Sequence, residues 1–78
     1  TFDIDGLDGS LVPDTGTPVP GGLTPWGAVE IIEGLFASSA EIIGADVNEI
    51  APGDDRITQF NAALITTKII AAHIANHN

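Results

Sequence analysis

Cysteine is absent from this 78-residue sequence, so it offers no disulfide staple, no thiolate metal cluster and no thiol nucleophile. That absence fits a cytosolic protein without assigning a compartment. Positive charge is scarce as well: Arg56 and Lys68 stand against eleven acids, for a net charge of -9. Nucleic acid and anionic membrane surfaces are therefore poor partners, since binding either needs a basic footprint. No apolar run is long enough to span a bilayer, and no basic, apolar leader is present. The segment GTPVPGG, residues 16–22, has no lysine and opens no phosphate-cradling loop. A nucleotide site is excluded on that ground.

What remains is apolar and acidic. A 44% apolar composition argues against disorder, although a chain this short buries only about 60% of its unfolded surface. Asp3, Asp5, Asp8 and Asp14 crowd the first fourteen residues and repel one another unless a cation or solvent screens them. Thr1–Ile4 reads as a strand end with Phe2 and Ile4 on one face. Gly6–Leu23 holds five glycines and three prolines, too many for a regular element, and an irregular stretch of that length is often functional. Thr24-Pro25 starts a helix, with threonine as N-cap and proline in the first turn. Ala28, Val29, Ile32, Leu35 and Phe36 follow at helical spacing, with Glu30 and Glu33 facing away. Trp26 reads as a packing residue of that helix.

Glu41–Val47, EIIGADV, reads as a second strand buried on both faces. After the break APGDD, in which Asp54 or Asp55 can serve as cap, a helix runs from about Arg56 to Asn76. One broad face holds Ile57, Phe60, Ala63, Leu64, Ala71 and Ile74, and another side holds Ile65, Ile69 and Ala72. A helix apolar over so much of its circumference expects more than one neighbour. The order strand, helix, strand, helix implies an α/β unit with parallel strands and a right-handed crossover. Two strands and two helices leave an edge and a face uncovered, so the chain reads as a single segment, residues 1–78, incomplete on its own.

Open α/β sheets bind ligands beyond the carboxyl ends of their strands. Asp3 and Asp5 fall at one such end, on the same side of an extended chain. Asp46 and Glu49 fall near the end of the second strand, and convergence of all four would suit a hard or borderline divalent cation. An Asp-x-Asp at a strand end is equally a pair of turn caps, and spacing leaves both readings standing. Glu49 is either a solvated edge residue or a grip for a planar guanidinium through two parallel hydrogen bonds. His73 and His77 have the i, i+4 spacing of a metal pair. With no carboxylate near them in sequence, they read as a helix end instead.

Residues 1–22 resemble the last signature of the ureohydrolases, the arginase and agmatinase family. That pattern runs serine, apolar, Asp, apolar, Asp, then proline, proline and glycine at set intervals. Asp3, Asp5, Pro13 and Gly22 fall in register, GTPVPGGLT (16–24) is family-like throughout, and GADVNEIAP (44–52) is similar to a later family strand. Thr1, Gly9 and Asp14 depart from the pattern, where serine, proline and a small residue are usual. Gly9 is expected to loosen the turn, and Asp14 to add a charge to the loop.

The resemblance implies the C-terminal strand-helix-strand-helix part of a three-layer, parallel-sheet arginase-like fold. It also implies hydrolysis of a guanidino compound, agmatine-like or arginine, to urea and an amine at a binuclear manganese site. Asp3 would bridge the two Mn2+ ions, Asp5 would bind one, Glu49 would hold the guanidinium, and Thr17 would assist by a hydrogen bond. The other ligands would come from upstream sequence, in the remainder of the same enzyme or a partner chain. The natural protein is thus expected to begin well before residue 1, to be cytoplasmic, and to form a homo-oligomer, trimer or hexamer. The 78-residue chain by itself is expected to be inactive. The alternative is a non-catalytic fragment or subunit that completes the sheet of another chain. A third reading, a free-standing acidic metal-binding mini-domain, requires a cooperatively folded monomer.

Overall fold

The computed structural model describes residues 1–76. The chain enters on β1 (Phe2–Asp3), turns through a short 3-10 helix (Ile4–Gly6), and reaches α1 (Pro25–Ala37) by way of the glycine- and proline-rich loop. It continues to β2 (Val47–Asn48) and ends in α2 (Arg56–Asn76). β1 and β2 pair in parallel, Phe2 opposite Val47 and Asp3 opposite Asn48. Both strands therefore deliver their carboxyl ends to the same rim.

Local chemistry explains the helix boundaries. The Thr24 hydroxyl accepts the Gly27 amide at 3.0 Å, with Pro25 opening the first turn where its missing N–H costs nothing. At the other end the Ser38 amide and hydroxyl both close on the Leu35 carbonyl. Asp55 caps α2: its carboxylate accepts the Thr58 amide at 2.8 Å and the Thr58 hydroxyl at 2.6 Å. The core gathers Ile4, Leu7 and Val12 from the first loop, Ala28, Val29 and Ile32 from α1, and Ala62, Ile65 and Ala72 from α2.

Three expectations are corrected. Residues 41–46 form no strand, and Ile43 is 92% exposed. β1 offers only two residues to pair with, and the apolar run ahead of β2 finds no second ladder to satisfy its backbone. In α2 the inward positions are Thr58, Ala62, Ile65 and Ala72, with Ile69 half-buried. They follow one another in steps of four, three and seven, a narrow seam that meets α1 and, at Thr58, the first loop. The broad face led by Ile57, Phe60 and Ile74 points outward instead. Trp26 is not a packing residue: it is 64% exposed, with Lys68 Nζ 5.6 Å from its ring centroid, a cation–π contact.

The loop 7–23 is ordered by its own polar groups. Leu7 bridges Leu23 in parallel, and the Asp8 amide donates to the Leu23 carbonyl at 2.9 Å. A Cβ on Gly22 would lie 2.7 Å from the Asp8 nitrogen, so only glycine permits this approach. Gly9 does not loosen the turn. Its amide donates to the Val19 carbonyl at 2.7 Å, a bond that proline could not make. Asp14, expected as a surplus charge, anchors the loop: its carboxylate accepts the Asp55 amide at 2.8 Å, and its own amide donates to Thr58 Oγ1 at 3.1 Å.

Candidate metal and substrate site

Asp3 closes β1 at its carboxyl end, and the chain turns at once into the 3-10 helix that carries Asp5. The strand does not continue through Asp5, so the two side chains are not aligned by strand alternation. They are drawn together by the turn: Asp3 Oδ1 accepts the Asp5 amide at 3.1 Å. The turn-cap reading of this pair is thus realised, and the same turn sets two carboxylates side by side. Loss of solvent around the Asp3 carboxyl raises its pKa above the ordinary value. The Asp5 amide opposes that shift, while the neighbouring Asp5 carboxyl adds to it.

Thr17 reaches back across the loop, and its hydroxyl donates to Asp5 Oδ2 at 2.7 Å. Asp3, Asp5 and Thr17 therefore form one hydrogen-bonded chain at the rim. Glu49 follows β2 at the same rim, since parallel neighbours end on the same side. Its backbone is in the left-handed region at φ 67, where non-glycine side chains are uncommon. The Thr15 hydroxyl donates to the Glu49 carbonyl at 2.9 Å.

Asp46 does not join this group. It precedes β2 instead of following it, accepts the Thr1 hydroxyl at 3.2 Å and the Asn48 side-chain amide at 3.0 Å, and gives its carbonyl to the Phe2 amide. The expected convergence of four acids reduces to the pair Asp3 and Asp5 with Glu49 on the rim. His73 sits edge-on to Phe36, ring centroids 6.4 Å apart, and His77 lies outside the described residues. A groove of about 440 Å³ between residues 42–47 and α2 is lined by Ile42, Ile43 and Ile69, and Asp3 and Asp5 are not part of it.

Asp8 enters the sequence reading only as one of the crowded acids. Its Oδ1 accepts the Gly21 amide at 2.7 Å and its Oδ2 the Ser10 amide at 3.1 Å and the Ser10 hydroxyl. The Ser10 hydroxyl, foremost, and then the Gly21 amide hold its pKa below the ordinary value. Asp8 pins the two ends of the loop that carries Thr15 and Thr17. The Asp-x-Ser spacing was the signal that could have found it.

Among the described residues no three His, Cys, Asp or Glu side chains are placed to hold a metal ion. The donor set of Asp3 and Asp5 is all carboxylate oxygen, two acids set side by side by one turn, which suits a hard or borderline divalent cation. The pair fits manganese as part of a ligand set and not as the whole of one.

A parallel strand pair with two helices defines an α/β protein, with Asp3, Asp5 and Glu49 at or just beyond the carboxyl ends of its strands. Residues 1–75 match the profile of the Arginase family, and the chain belongs to that family. It is 51% identical over 75 residues to the agmatinase of Chromobacterium violaceum, covering 96% of this chain and 20% of the relative. To the agmatinase of Escherichia coli O1:K1 / APEC it is 44% identical over 72 residues, covering 90% of this chain and 23% of the relative. The crystal structure of a hypothetical agmatinase from Burkholderia thailandensis shares the arginase-like fold. Its TM-score is 0.78 at 42% identity, over 91% of this chain and 23% of that one. The chain thus spans about a fifth of the length of its curated relatives. The match covers only part of the relatives' length, and the C-terminal placement expected from the motifs does not follow from that extent. No helix among the described residues is long and apolar enough to cross a membrane.

Proposed function

We propose that this segment supplies part of the site of a hydrolase that cleaves a guanidino compound, agmatine-like or arginine, to urea and an amine. Asp3 and Asp5 would be two ligands of a binuclear manganese centre, and Glu49 the substrate grip. The observation that carries this reading is the Asp3–Asp5–Thr17 hydrogen-bonded chain, with Glu49 one residue past the end of the neighbouring parallel strand. Manganese, when bound, would supply charge neutralisation and a lowered pKa for water near neutral pH. Binding and orientation fall to the chain's own residues. Asp3 and Asp5 present oxygen ligands from a single tight turn. Thr17 holds one oxygen of Asp5, so that carboxylate is oriented before any cation arrives. Glu49 offers a planar carboxylate that a guanidinium can engage through two parallel hydrogen bonds, fixing its carbon relative to the ligands.

The remaining ligands would come from the rest of the same enzyme or from a partner chain, in a cytoplasmic homo-oligomer. The outward face of α2, with Ile57, Phe60 and Ile74, together with the bare Ile43, supports a segment that is covered elsewhere. That same observation favours the second reading, a non-catalytic piece that only completes another chain's sheet. Urea release from agmatine, arginine and guanidinobutyrate, measured on the native protein after its intact mass is known, separates them. On the first reading Asp3→Asn and Asp5→Asn abolish urea release and lower manganese content. Undiminished urea release from both variants sinks it. The isolated chain is expected to bind manganese weakly and to release no urea, and manganese should leave its thermal melt unmoved. A large stabilisation by manganese would favour the free-standing mini-domain.

A further inference from the structure

The two groups on the rim are held by one short stretch of chain. Thr15 and Thr17, separated by Gly16, each aim a hydroxyl at a different one of them. Thr17 Oγ1 donates to Asp5 Oδ2 at 2.7 Å, and Thr15 Oγ1 donates to the Glu49 carbonyl at 2.9 Å. Thr15 is buried, 6% exposed, so its hydroxyl has little water to turn to. It is also the site of an antiparallel bridge to Ile50, and next to it the Asp14 carbonyl accepts the Ala51 amide at 2.8 Å. These ties hold residues 49–51, a stretch that begins at Glu49, the one described non-glycine residue with positive φ. A side chain in that backbone region persists only where its surroundings hold it. Thr17 is exposed, yet it spends its hydroxyl on a carboxylate twelve residues away instead of on water.

We propose that Thr15 and Thr17 are positioning residues, Thr15 for Glu49 and Thr17 for Asp5, so that one three-residue strap sets the spacing between metal ligand and substrate grip. This rests on the reading of Asp5 and Glu49 given above. It changes the part expected of Thr17, from assisting the substrate to orienting a ligand, and gives a part to Thr15, which the sequence did not single out. The two threonines divide the labour, and the division is measurable.

The test uses the holoenzyme that contains this segment, with manganese affinity read by titration of the metal-free protein and steady-state kinetics read on agmatine. Thr17→Val should weaken manganese binding roughly 10–100-fold, the scale of a lost hydrogen bond to a metal ligand, and Thr17→Ser should restore it. Thr15→Val should leave manganese affinity unchanged and raise KM roughly tenfold, with the smaller change in kcat. Thr15→Ser, which keeps the hydroxyl and loses only packing, should show the wild-type KM, and it carries the test for Thr15 if the valine variant does not fold. Wild-type manganese affinity in Thr17→Val overturns the proposal, as does a raised KM in Thr15→Ser, whether or not the valine variant folds for comparison. Asp5→Asn and Glu49→Gln serve as controls. If they too leave metal affinity and KM unchanged, the underlying reading of the site fails with it. If they respond and the threonine variants do not, the strap alone is wrong.

Discussion

Thr58→Val removes one oxygen from a buried polar junction between the first loop and α2. Thr58 is fully buried, at the third position of α2. Its Oγ1 accepts the Asp14 amide at 3.1 Å and donates to the capping carboxylate of Asp55 at 2.6 Å. Valine keeps the shape and fills the same volume, so the change isolates hydrogen bonding from packing. The Asp14 amide is then left without its acceptor in a part-buried site, which costs about 1–3 kcal/mol. Thr58→Ser keeps the oxygen and loses a methyl group, a change worth about 0.8 kcal/mol. The expected order of stability is therefore wild type first, the Thr58→Ser variant second and the Thr58→Val variant last. For a domain of this size a loss of about 2 kcal/mol lowers the melting temperature by roughly 8–16 °C. Thermal melts of the purified chain followed by far-ultraviolet circular dichroism read the difference directly, because most of its regular structure is in the two helices. If the valine variant melts no lower than wild type, or above the serine variant, the junction does not hold the loop to α2 as described.

Ile65→Ala opens a cavity under a side chain that is fully buried between the helices; it should cost about 2–5 kcal/mol in urea unfolding, whereas the same change at exposed Ile74 should cost well under that. Gly22→Ala forces a Cβ to within 2.7 Å of the Asp8 backbone, so hydrogen exchange at the Asp8 and Leu23 amides should lose protection; unchanged protection would show that the loop has room to spare. The Asp8 and Asp55 carboxyls both sit below their ordinary pKa, each held chiefly by a hydroxyl hydrogen bond, from Ser10 and Thr58 respectively. A depressed carboxyl contributes stability that is complete above the unfolded-state pKa and is lost as pH falls through the folded-state value. The melting temperature should therefore fall on the acid side of the ordinary carboxylate range, and Asp8→Asn and Asp55→Asn should each flatten that acid limb. An acid limb identical to wild type in both variants refutes the assignment.

Much of the local structure was legible in the residues, because it depends on neighbours in sequence. Thr24-Pro25 fixes the start of α1 through a bond to an amide three residues on, and Asp55 does the same for α2. The parallel order of the strands was legible for a related reason: a helix between two strands leaves few other connections. What depends on distant partners was not legible. EIIGADV has the composition of a buried strand, yet a strand exists only where a second one pairs with it, and only Val47 and Asn48 meet β1. The wide apolar circumference of α2 is a property of its sequence, whereas which side is buried is set by α1 and the first loop, against which Thr58, Ala62, Ile65 and Ala72 are buried.

The site divides along the same line. Asp3 and Asp5 could be singled out by type and spacing, and the structure keeps them together, though by a turn and not by the strand alternation that suggested it. Asp46 could not be rejected from sequence. It lies one residue before β2 and Glu49 one residue after, and only the observed register tells which end of the strand each occupies. Thr15 was invisible because its hydroxyl bonds a backbone carbonyl thirty-four residues away, and a carbonyl carries no side-chain signature. Residues that carry charge at the rim thus announce themselves by type, while residues that place them act through backbone contacts that exist only once the chain has closed. The departures at Gly9 and Asp14 belong to the second kind. Gly9 was expected to loosen the turn and Asp14 to add a surplus charge, yet each forms a hydrogen bond across the loop or to α2's cap that a proline, or a small side chain without a carboxylate, could not make. Both bonds help secure the loop that carries Thr15 and Thr17 to the rim.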